Sequence, residues 1–111
     1  MTRLPSRLIV DLMLRSAVAA GGFALVLARG DDHGGAIIVQ CRDRDQLGPL
    51  LERDFNGRWQ SVGPDGLNRD ELASDVEDYI ARRRRVDADL WVVELDIPEA
   101  PQFVAALTSG G

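Results

Sequence analysis

The densest grouping of reactive side chains in this sequence is Arg29-Gly30-Asp31-Asp32-His33-Gly34-Gly35. Asp31, Asp32 and His33 could ligate a divalent metal through carboxylate oxygens and a neutral imidazole. The same residue types are what a hairpin turn uses, and that plainer reading takes precedence. Two Asp-x-Asp pairs, Asp43/Asp45 and Asp87/Asp89, would each put two carboxylates on one side of an extended strand, where they could share Mg²⁺ with a phosphorylated substrate. Arg42 and Arg44 alternate with the first pair and neutralise it locally. Asp87 and Asp89 stand where a helix should stop and a strand begin.

Arg82–Arg85 is the most conspicuous charge run. Four consecutive helical residues point in every direction around the axis, so they form no single stripe for reading a nucleic-acid groove. Guanidinium forks do suit phosphate or carboxylate, which makes Arg29, Arg82 and Arg83 the anion-binding candidates. Arg83 falls in register with the apolar face of its helix; it must either snorkel to water or meet an internal carboxylate. The bland account of the run is that it opposes the helix dipole and pairs with Asp78, Asp87 and Asp89.

Nucleophilic catalysis finds little support. Cys41 and His33 are the sole cysteine and histidine. In a hairpin turning at His33 they would lie ~15–20 Å apart at the usual strand rise. Glu94 and Asp96 share a strand face, with nothing to tune them as an acid–base pair.

Composition narrows the classes further. The chain has 111 residues, 45% of them hydrophobic, which suits one domain spanning 1–111 with 1–5 and 108–111 frayed. Thirteen basic and eighteen acidic residues give a net charge of −5, which argues against general nucleic-acid binding. Every basic residue is arginine, so a Schiff-base lysine and a Walker-type phosphate loop are both excluded. One cysteine forms no internal disulfide, and one histidine no multi-histidine metal site. Asp11 and Arg15 interrupt the N-terminal apolar stretch, too early for a signal peptide. A cytosolic protein without cofactor or membrane partner is the expectation.

The elements that would carry these residues follow from periodicity. Residues 6–20 read as a helix with Ser6 as N-cap, Ile9, Leu12, Met13, Ala17 and Ala20 facing the core, and Gly21-Gly22 as its stop. Leu8, Leu14 and Val18 widen the apolar face, which suggests a partner chain. Phe23–Arg29 and Ala36–Arg42 read as an antiparallel hairpin, the first strand apolar on both faces and therefore central. Leu50–Phe55 and Arg58–Val62 flank the hairpin signal Asn56-Gly57, and Trp59, partly exposed on the second arm, could anchor a partner. Asn68 and Glu71 resemble a capping box that opens a helix to about Arg85, and Leu90–Leu95 is a fifth strand holding Trp91 in the core. Pro98 and Pro101 leave room for a short tail helix at most. The order is α-β-β-β-β-α-β: an α+β domain with an antiparallel-rich sheet of about five strands and two main helices.

Several stretches carry a family resemblance: Gly21-Gly22-Phe23-Ala24, Arg29-Gly30-Asp31, Gly35-Ala36-Ile37, Arg42-Asp43-Arg44-Asp45, Tyr79-Ile80-Ala81-Arg82 and Asp87-Ala88-Asp89-Leu90-Trp91-Val92-Val93-Glu94. In this order they resemble the small alphaproteobacterial domain-of-unknown-function family numbered fourteen ninety-one, across roughly residues 1–97. Ala88 departs from the pattern, which leads us to expect proline there. The resemblance implies a single bacterial domain and assigns no catalytic residue.

Taken alone, the sequence points to a non-enzymatic interaction or regulatory module. It would be a homodimer, or bind an unknown protein partner, with Leu8, Leu14, Val18 and Trp59 as interface candidates. The alternative is a small enzyme or binding protein for a phosphorylated or carboxylated ligand, using Arg and Asp side chains. A weaker one is nucleic-acid binding through Arg82–Arg85.

Overall fold

The computed structural model describes residues 4–44, 46–53, 57–63 and 69–108, with the side chains of 69–73 and 108 left aside. The order is α1 (Ser6–Ala19), β1 (Phe23–Ala28), β2 (Ile37–Asp43), β3 (Gln46–Arg53), β4 (Trp59–Val62), α2 (Arg69–Val86), β5 (Trp91–Asp96) and α3 (Ala100–Thr108). The five strands form one mixed, mostly antiparallel sheet in the order β1-β5-β2-β3-β4. The α+β expectation holds, and a third helix is added to it.

The strand order corrects the expected hairpin. β5 lies between β1 and β2, antiparallel to the first and parallel to the second. β1 is therefore an edge strand and not the central one. Its apolar alternation misled because Ala24 and Val26 do pack on the core, while Phe23, Leu25 and Leu27 stay half exposed. The β3–β4 hairpin forms as expected, with Arg53 opposite Trp59 and Leu50 opposite Val62. Asn56 and the Asn68/Glu71 capping box lie outside the described residues and side chains.

Alternation along the central strands makes two cores. Ile37, Val39 and Cys41 of β2 join Trp91, Val93 and Leu95 of β5 beneath α1 and α3. Ile38, Leu90 and Val92 pack on the other face with Leu50 of β3 and Val76 of α2. Helix α3 was masked in the sequence by its prolines. Pro101 sits in its first turn, where a missing N–H costs nothing, so Ala100 and Val104 can close the first core.

Gly48-Pro49 belongs to β3 rather than to a connecting loop. It adds one residue to that strand, shifting the register between Gln40 and Arg42. The buried Gln40 amide repairs the gap by donating to the carbonyls of Cys41 and Gly48, at 2.9 and 3.2 Å. At the end of α1, Gly21 takes φ +87°, and the N–H groups of Gly21 and Gly22 return to the carbonyls of Val18 and Ala17.

Candidate functional site

The 29–35 loop proves to be a structural joint. Asp31 turns its carboxylate onto its own loop and accepts the N–H groups of His33 and Gly34, at 3.2 and 2.9 Å. Those two bonds, Gly34 first, hold its pKa below the usual carboxylate range. Residues outside the loop use its remaining polar groups. The carbonyls of His33 and Asp32 accept the N–H groups of Ser6 and Arg7, capping the start of α1.

Ser6 is accordingly the first residue of α1 rather than its N-cap, a position Pro5 fills without a side-chain bond. The Ser6 hydroxyl donates to the Gly35 carbonyl at 2.5 Å. On the other side of the loop, Asp31 N–H bonds the Asp89 carbonyl at 3.0 Å. A Cβ at Gly30 or Gly35 would collide with that same carbonyl, so only glycine permits the approach.

Metal ligation at Asp31, Asp32 and His33 gains nothing from this geometry. Among the described residues no group of three or more His, Cys, Asp or Glu could hold an ion. Asp43 is exposed at the end of β2, and Asp45 lies outside the described residues. Asp87 accepts the N–H of Asp89 through Oδ1 at 3.1 Å, the helix-stop role expected of the pair.

The other reactive groups are also engaged. Glu94 is ion-paired to Arg42, and Asp96 accepts the N–H of Arg44 at 2.9 Å. Cys41 is buried in β2, and desolvation pushes its thiol up to about 12, far from a nucleophile's range. Arg83 meets an internal carboxylate: its guanidinium forks onto Glu52 of β3 at 2.5 and 2.9 Å and also donates to the Tyr79 hydroxyl at 3.0 Å. The fork, the largest influence, raises the arginine's already high pKa.

The arginines divide into bound and unbound. Arg82, Arg84 and Arg85 make no ion pair among the described residues, so the expected pairing with Asp78, Asp87 and Asp89 does not form. Arg29 bonds Asp32 at 3.4 Å and stands over the Trp91 ring, 5.3 Å from its centroid. Trp91 is buried as expected, its indole N–H donating to the Asp31 carbonyl at 2.7 Å.

A shallow cleft of ≈ 450 Å³ runs between this loop and the end of α2. Arg29, Arg84 and Arg85 line it with Asp87, Ala81, Ala88 and Leu90. Of the anion-binding candidates Arg29, Arg82 and Arg83, only Arg29 lines the cleft. Arg84 and Arg85 were missed because periodicity marks the helix face and not which turn of it approaches a distant loop.

The interface candidates also separate. Leu8 and Val18 are exposed on α1, while Leu14 and Trp59 are half-buried against the first core. No helix among the described residues is long and apolar enough to cross a membrane.

A small α+β domain with one five-stranded sheet covered by helices on both faces is the class to which the chain conforms. The model of a protein family of unknown function, DUF1491, matches residues 4–105, and the chain belongs to that family. It is similar to the solution structure of protein Atu0922 from A. tumefaciens, at 31% identity over 97% of this chain and 94% of that one, with a TM-score of 0.72. It is also similar to the crystal structure of a DUF1491 family protein from Caulobacter crescentus CB15, at 28% identity over 86% and 88% of the two chains, with a TM-score of 0.71. An NMR structure of a DUF1491 family protein from the same organism matches at 27% identity over 89% and 90%, with a TM-score of 0.68. No curated protein matches the chain.

Proposed function

We propose that this protein is a non-catalytic interaction module that assembles with a second copy of itself along β1. The observation that carries the reading is the edge strand FALVLA, which has no charged residue and leaves Phe23, Leu25 and Leu27 at 50%, 51% and 49% exposure. Edge strands offer unpaired backbone N–H and C=O groups, and monomeric proteins usually blunt them with charge or proline. β1 carries only a bulge between Val26 and Ala28, which leaves Phe23–Val26 in regular register.

A second copy would bring the same uncharged, apolar strand to this edge. Two chains of net charge −5 repel at long range, and an uncharged edge is where they can approach. Helix α1 packs on the Ala24/Val26 face of β1 and itself leaves Leu8, Leu12 and Val18 exposed. Pairing two β1 edges would withdraw apolar area from water on both copies, worth roughly 25 cal/mol per Å² before the costs of association. The engaged state of the reactive side chains is consistent with a role in binding rather than catalysis.

Size-exclusion chromatography with light scattering at tens of micromolar is the test. A dimer is expected for the parent chain and a monomer for Leu25→Lys, which places a charge on the proposed seam. A parent chain that stays monomeric, or a Leu25→Lys variant that stays dimeric, overturns the reading.

A further inference from the structure

We infer that the cleft between the 29–35 loop and the end of α2 is a binding site for the phosphoryl group of a small molecule, held by Arg29, Arg84 and Arg85. The three guanidiniums that line it face one carboxylate, Asp87, whose Oδ1 already accepts the Asp89 N–H. Arg84 and Arg85 have no carboxylate partner among the described residues, so a bound anion would be their counter-charge. Asp32 competes only weakly for Arg29, because that contact is exposed and 3.4 Å long.

The site is partly preorganised. Trp91 lies beneath the Arg29 guanidinium and is itself fixed by its indole bond to the Asp31 carbonyl. Gly30 and Gly35 let that loop close against Asp89, so the backbone carrying Arg29 is locked to the strand entry. The arginines of α2 sit on a helix end whose dipole favours cations, which stabilises them there without occupying their N–H donors. Leu90, Ala81 and Ala88 supply an apolar wall for the rest of the ligand.

A neighbouring hollow provides the contrast. Asp75, Asp78, Ala81, Arg82 and Arg85 line it, two carboxylates against Arg82 and the Arg85 that it shares with the first cleft, and so offer no excess charge to an anion. A polyanion fits the first cleft less well than a small ligand. The chain's net charge of −5 would repel an extended phosphate backbone outside the cleft. Guanidinium forks match the tetrahedral oxygens of a phosphate, with two parallel N–H···O bonds to each arginine.

The test is isothermal titration of the full chain at low salt with inorganic pyrophosphate, inorganic phosphate and malonate, a carboxylate dianion. Saturable pyrophosphate binding is expected, roughly tenfold weaker in Arg29→Gln and in Arg84→Gln/Arg85→Gln. Arg82→Gln, which alters the neighbouring hollow, should change it less than about twofold. Urea melts that match the parent chain establish that the variants are folded. Absence of saturation with pyrophosphate, equal loss in Arg82→Gln, equal binding of malonate, or tighter binding of a single-stranded oligonucleotide would each overturn the assignment.

Discussion

Arg83 and Glu52 join α2 to the sheet through two N–H···O bonds of 2.5 and 2.9 Å, one from each terminal nitrogen of the guanidinium. Both side chains are largely withdrawn from water, so neither is easily left alone. Replacing Arg83 with Ala strands a desolvated carboxylate and should cost ~1–3 kcal/mol. The double variant Arg83→Ala/Glu52→Ala should cost less than the two single changes summed, with a coupling of ~0.5–3 kcal/mol. Urea melts of the four chains measure this. Additive losses would mean that the fork does not tie helix to strand.

Acid should weaken the loop through Asp31. Its folded-state pKa lies below the usual value of 3.8, so ionised Asp31 contributes stability that is fully present above that pH. The contribution is lost as pH falls through the folded-state value. The urea midpoint of the parent chain should therefore drop more steeply below pH ~4 than that of Asp31→Asn. Parallel acid curves would remove Asp31 as the cause.

The Cys41 thiol should resist alkylation in the native protein. With its pKa pushed up to about 12, about one molecule in ten thousand carries the thiolate at pH ~8, and burial blocks the reagent as well. Iodoacetamide followed by mass spectrometry should show no adduct in buffer and complete labelling in guanidinium. Rapid native labelling would mean that β2 opens far more often than a central strand should.

Trp91 and Arg84 make a matched pair for stability. Trp91→Ala removes a buried indole from the first core and should cost ~3–5 kcal/mol, a large share of a typical total of ~5–15. Arg84→Ala, at an exposed and unpaired site, should cost under ~1 kcal/mol. Denaturant melts compare them directly, and a Trp91→Ala chain as stable as the parent would overturn the placement of this ring.

What could be read from sequence was local. The glycine stop of α1, the β3–β4 hairpin and the place of Arg83 on an apolar helix face each depend on neighbours a few residues apart, whereas its choice of Glu52 over water does not. The position of β5 between β1 and β2 depends on contacts sixty residues apart, such as Trp91 with Asp31, and no periodicity records them. The Asp-Gly loop has the composition of a hairpin tip, yet its carbonyls cap α1 and its glycines admit Asp89. Gly48-Pro49 and Pro98–Pro101 read as punctuation, although one pair forms a bulge and the other leads into a helix. The candidate site suffered most, because a helix end and a loop meet there through the fold alone.

A sheet whose middle strand is translated near the end has a consequence for how the chain comes off the ribosome. Until residues 91–96 emerge, β1 has no neighbour, and β2 has only β3 along one side. The N-terminal helix and strand must then wait as a tethered, apolar fragment beside a three-stranded meander, exposed to chaperones and to other nascent chains. Only β5, lying between the two pieces, joins them into a single sheet. Any pause in synthesis between α2 and β5 would prolong that vulnerable interval, and a chain cut short before Trp91 would leave two unjoined parts rather than a smaller domain.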